Sequence, residues 1–84
     1  MSDALVYWLA TSEDEIHFID AVISAYDGMA SVRRDFRMIQ GRPMYKIFVS
    51  PGMEEEFLSV MARLREKASI DDLIRDDDAT SAAE

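Results

Sequence analysis

Cysteine is absent from this 84-residue chain, histidine and tryptophan occur once each, proline twice and glycine three times. Each shortage removes a class of chemistry. Without a thiol there is no disulfide framework and no cysteine nucleophile, and His17 alone leaves a zinc site short of its usual nitrogen and sulfur ligands. The three glycines form no glycine-rich phosphate loop. The longest apolar runs, such as Ala4 to Ala10, fall well below the roughly 18 residues that span a bilayer, and no basic segment precedes an apolar one at the N-terminus. Positive charge is scarce too: 9 Lys and Arg stand against 17 Asp and Glu, a formal net charge of -8 that repels a polyanion. These features predict a cytoplasmic protein with no membrane association and no cofactor, and they make nucleic acid an unlikely partner.

What is present suffices for one small domain, expected over residues 1–75 and followed by an acidic, small-residue tail, 76–84, expected to be disordered. Ala4 to Ala10 is apolar at every position, the pattern of a strand covered on both faces. Ser12 with Glu15 three residues on forms a capping box, and Ile16, Ile19, Ile23 and Tyr26 recur at helical spacing, so a helix is predicted from about Glu13 to Tyr26. Gly28 closes it. Strands follow at Met29 to Met38 and Pro43 to Ser50, joined across Gln40-Gly41 as a tight hairpin. A second helix opens at Ser50-Pro51-Gly52, with Met53, Phe57, Val60, Met61 and Leu64 as its apolar face. Ser69 to Asp72 is expected to cap one further short turn, and Ile70 to Arg75 is a poor candidate for a strand.

The predicted order is therefore β-α-β-β-α, an α+β fold of ferredoxin-like, split-βαβ type. Its sheet has three strands in the order one, three, two, with strands one and three parallel and both helices on one face. Strand one is then a sheet edge, and the other face has no cover. Tyr45, Ile47 and Val49 should point to the helices, which turns Met44, Lys46 and Phe48 outward beside Val6 and Trp8 or their neighbours. Trp8, Met44 and Phe48 are accordingly the candidate interface, and apolar surface of that extent predicts a homodimer.

The helix-ending element Ala25-Tyr26-Asp27-Gly28, the strand Met29-Ala-Ser-Val32 after it, then a hairpin and a Pro-Gly-opened helix resemble a family of short bacterial domains of unknown function. The resemblance covers most of the chain and implies a sandwich similar to the small regulatory ACT domains. It implies no activity and transfers no site residue.

One stretch of this acidic chain is basic: Arg33, Arg34 and Arg37 fall within a single strand. Alternation splits them, with Arg34 beside Val32 and Phe36 on one face and Arg33 and Arg37 beside Ser31 and Asp35 on the other. With a two-residue loop at Gln40-Gly41, Asp35 falls opposite Lys46 and Arg33 opposite Phe48, an ion pair and a cation–π contact that stabilise a sheet. Charge balance is thus the first role of these arginines, and an anion site is a weaker alternative. RNA recognition through Trp8 and Phe48 is disfavoured, because Arg42 to Val49 lacks the glycines and aromatic spacing of the RNP1 motif. His17 with Glu13, Asp14 and Asp20 makes a solvated acidic helix face rather than a metal site. No nucleophile stands beside a base, so no catalytic residue is expected. The function expected from the sequence is a non-enzymatic, homodimeric interaction or regulatory module, with a small-molecule sensor of ACT type, its ligand at the dimer interface, as the alternative.

Overall fold

The computed structural model of the chain describes residues 4–76, apart from the side chains of Arg34 and Asp35. The elements are β1 (Leu5–Thr11), α1 (Glu13–Ser24), β2 (Ala30–Ile39), β3 (Arg42–Val49), a 3₁₀ turn at Pro51–Met53, α2 (Glu54–Leu64) and β4 (Ile70–Arg75). The sheet has four strands in the order β2-β3-β1-β4, and every neighbouring pair is antiparallel.

Two sequence expectations are corrected by this topology. The first is the parallel pairing of β1 with β3. A helical crossover through α1 makes β1 and β2 parallel, the Gln40-Gly41 hairpin reverses β3 against β2, and a strand lying between them must run against both. The second is the three-stranded sheet with β1 at its edge. Ile70–Arg75 forms β4 and pairs with β1 over Tyr7 to Thr11, so β1 is central and the edges are β2 and β4. No further turn forms at Ser69 to Asp72.

β4 lacks a strand's alternation because a bulge interrupts it: Ala10 pairs with Asp72 but Thr11 with Ile70, which leaves Asp71 as the extra residue. Ile70 and Leu73, three apart, consequently both pack against the core. The Thr11 hydroxyl donates to the Ser69 carbonyl at 2.6 Å and fixes the start of the strand. The chain stays attached for one residue beyond β4, where the Asp76 N–H donates to the Val6 carbonyl at 2.8 Å. The tail expected over 76–84 therefore begins no earlier than 77, and its remainder lies outside the described residues.

α1 starts where the capping box puts it. The Glu15 N–H donates to Ser12 Oγ at 3.2 Å, while Ile16, Ile19 and Ile23 are buried against the sheet. The helix stops at Ser24, two residues short of the expected Tyr26, and Gly28 at φ 74° turns the chain into β2. The hairpin loop is of the primed type, with φ 55° at Gln40 and 81° at Gly41. Pro51 opens a single 3₁₀ turn before α2, whose residues Phe57, Val60, Met61 and Leu64 face the sheet.

The two helices and the sheet bury one main core of Leu5, Tyr7, Leu9, Ile47, Val49, Phe57 and their neighbours. Each large apolar side chain withdrawn from water there contributes about 1.5–3 kcal/mol. The Tyr7 ring lies 5.0 Å from that of Phe57, and its hydroxyl donates to Glu54 Oε2, the same oxygen that accepts from Arg75 Nη1 at 3.0 Å. Glu54 thereby ties β1, β4 and the start of α2 together. Among the described residues no helix is long and apolar enough to cross a membrane.

A second ion pair joins β3 to β4, with Arg42 Nη2 2.7 Å from Asp72 Oδ2. The hydrogen bond from Arg42 is the main cause that holds the Asp72 carboxyl below its ordinary value of 3.8, against a smaller desolvation effect and with help from the Leu73 N–H. A lowered carboxyl pKa contributes stability above the ordinary value, and this is lost as the pH falls through the folded value. Asp72→Asn should therefore be the less stable protein at neutral pH and lose less of its stability than wild type on acidification from about pH 5 downward, as thermal melts at a series of pH values would record.

Candidate functional site

The helix-free face of the sheet is built by alternation. In β1 the residues opposite Leu5, Tyr7 and Leu9 are Val6, Trp8 and Ala10, and in β3 the residues opposite Tyr45, Ile47 and Val49 are Met44, Lys46 and Phe48. The antiparallel register sets Trp8 directly across from Lys46 and Val6 across from Phe48. Val6, Trp8, Ala10 and Met44 form a second apolar cluster, with Ile39 and Phe48 packed against it. Trp8, Met44 and Phe48 are thus brought together as the sequence suggests.

The face is not bare. Met44 is only 1% exposed and Trp8 7%, whereas an uncovered sheet face would leave them in water. Charged side chains extend over it: the Arg37 guanidinium carbon and the Lys46 Nζ each lie 5.3 Å from the centre of the Trp8 ring, and Lys46 Nζ lies at the same distance from Phe48. Their aliphatic stems cover apolar surface while the charges stay in solvent. Trp8 Nε1 donates to Asp76 Oδ2 at 2.7 Å, which fixes the orientation of the indole. The expected uncovered face is corrected on this point, and Met44 belongs to the interior of the face rather than to its surface.

The cross-strand partners expected for Arg33 and Asp35 are corrected as well. Near the loop β2 and β3 follow the hairpin register, with Arg37 across from Met44 and Phe36 across from Tyr45, but beyond it Val32 pairs with Ile47 and Ser31 with Phe48. Between Val32 and Phe36 lie three β2 residues, Arg33 to Asp35, against Lys46 alone on β3. Such a bulge lifts its residues out of the ladder and sharpens the local twist. Phe48 consequently meets Lys46 rather than Arg33 as its cation.

The bulge borders a hollow of about 190 Å³ lined by Trp8, Arg33, Phe36, Arg37, Lys46 and Phe48. Three cations and three aromatic rings converge there in a chain of net charge -8. Arg33 and Arg37 are the candidate anion residues that the fold brings together, while the Arg34 side chain lies outside those described. Arg37 and Lys46 have no carboxylate within ion-pair distance among the described residues, whereas Arg42 pairs with Asp72 and Arg75 with Glu54. Phe48 also borders a second hollow of about 360 Å³, formed with Gly28, Ala30, Ser31, Ser50 and Pro51. Sequence reasoning missed the convergence on Lys46, whose signal was its outward alternation with Phe48, and missed Asp76 altogether. Away from this face, His17 is exposed on α1, and no group of three His, Cys, Asp or Glu among the described residues could hold a metal ion.

Comparison with protein-family models, with curated proteins and with solved structures finds no match.

Proposed function

We propose that this chain is a non-enzymatic regulatory module of ferredoxin-like, ACT-like type, and that it senses a small anionic ligand on the helix-free face of its sheet. The observation that carries this is the hollow at the β2 bulge, where Arg37 and Lys46 stand over aromatic rings without a carboxylate partner among the described residues. A cation over an indole gains modestly from the ring, and a guanidinium so placed keeps its N–H edges for an oxyanion.

Association of two copies is a second reading, favoured by a specific observation. β2 is an edge strand, and on it Phe36 is 55% and Met38 59% exposed. Exposed apolar residues on an unpaired edge invite pairing with another chain, and two copies joined there would bring two anion sites near one interface. Native mass spectrometry of protein taken from its own source tests both. A retained anionic small molecule supports the sensor, and a dimer supports the second reading. A monomer without ligand whose melting temperature no small anion raises would overturn both.

A further inference from the structure

We infer that the anion bound on this face is a nucleoside phosphate, its phosphate group held by Arg37 and Lys46 and its ring laid against Phe48. This rests on the reading of the face as an anion site and adds the ligand class. Charge sets the first half of it. Arg37 and Lys46, two cations at one hollow with no carboxylate within ion-pair distance among the described residues, match a phosphate, which carries nearly two negative charges and three acceptor oxygens at neutral pH. The net charge of -8 acts in the other direction at long range, disfavouring a long polyanion while leaving a compact one tolerable.

The backbone is arranged to the same end. Had β2 kept its hairpin register past Phe36, Asp35 would stand directly across from Lys46, the neutralising pair that the sequence suggests. The bulge instead takes Arg33 to Asp35 out of the ladder, and Lys46 lies over Trp8 and Phe48. Lys46 thus lies against rings with no carboxylate within ion-pair distance among the described residues, an arrangement that keeps its charge for a ligand.

Shape supplies the second half. At about 190 Å³ the basic hollow alone is smaller than the roughly 300–1,000 Å³ of ordinary small-molecule sites. Phe48, half-buried, borders both it and the less basic hollow of about 360 Å³ at Ser31 and Pro51. A ligand with an anionic end and a planar end spans the two, phosphate at Arg37 and Lys46 and ring on Phe48. Base stacking on an aromatic side chain needs no hydrogen-bond code, so base identity contributes little to affinity here.

Trp8 is the only tryptophan and lies under the two cations, so its fluorescence reports occupancy directly. The full chain is titrated separately with a nucleoside diphosphate, the matching nucleoside, pyrophosphate and a single-stranded oligonucleotide, with calorimetry as the second readout. The nucleoside diphosphate should bind at least about tenfold more tightly than pyrophosphate or the nucleoside, and weaken as salt rises. Arg37→Gln and Lys46→Gln, which keep most of the stem and remove the charge, should each cost about tenfold in affinity while the protein keeps a cooperative thermal transition. Phe48→Leu, which keeps apolar volume and removes the ring, should erase the advantage of the nucleotide over pyrophosphate. Equal binding of pyrophosphate and nucleotide to wild type would overturn the nucleoside part and leave an anion site standing. Tighter binding of the oligonucleotide than of the mononucleotide would overturn the inference in favour of nucleic acid. Failure of every phosphate compound to bind at millimolar concentration would overturn both the inference and the sensor on which it rests.

Discussion

A chain ending at Ser69 should not fold cooperatively. β4 converts β1 from an edge into a central strand, and its removal takes away the ladder from Tyr7 to Thr11 together with the Arg75 bond to Glu54, the Asp76 bond to Trp8 and the Asp76 N–H bond to Val6. Ile70 and Leu73 are partly buried against the main core, so their loss removes about half of a full burial each, or ~1.5–3 kcal/mol together. The strand's hydrogen bonds contribute roughly 0.5–1.5 kcal/mol apiece. A domain of this size has a total stability of about 4–12 kcal/mol, so the combined loss reaches most or all of it. Circular dichroism of the shortened chain should show no cooperative thermal transition. A sharp melt within a few degrees of the full chain's would mean that the three strands suffice, as the sequence by itself suggests.

Phe57→Ala should cost about 3–5 kcal/mol, the largest loss expected of a single substitution. Phe57 is fully buried on the inner face of α2, with the Tyr7 ring 5.0 Å away. Truncation there leaves a void between α2 and the centre of the sheet, and β1 and β3 on the far side are held in register by two-sided pairing, which limits collapse into it. The effect is read as a fall in the urea midpoint with little change in slope. A cost below about 1 kcal/mol would show that the helix packs loosely and that the core lies elsewhere.

The fold was legible wherever the local pattern had an undisturbed period. The continuous apolar run of β1, the Ser12–Glu15 cap, the 3.6-residue stripes of the helices and the Gln40-Gly41 turn each identify their element. The two errors of strand content and register both coincide with bulges, at Asp71 in β4 and at Arg33 to Asp35 in β2. A bulge breaks the two-residue period that reveals a strand, and only the pairing partner shows that it is there. The site was legible to the same degree. Trp8, Met44 and Phe48 fall on one face by alternation within β1 and β3, whose mutual register is unbroken, whereas the placement of the β2 cations depends on a register that the bulge shifts. Lys46 above Trp8 follows only once β1 and β3 are known to run antiparallel. The convergence of Tyr7, Arg75 and Glu54 joins residues far apart in sequence and has no local signal.

That the helix-free face is where this module recognises an anion is tested most directly by nuclear magnetic resonance of the full chain during titration with a nucleoside diphosphate. The Trp8 indole N–H and the backbone amides of Arg33, Phe36, Arg37, Lys46 and Phe48 should shift together and saturate, while amides on the outer surfaces of α1 and α2 stay in place. Saturable shifts confined to the helices, or no saturable shift anywhere, would contradict it.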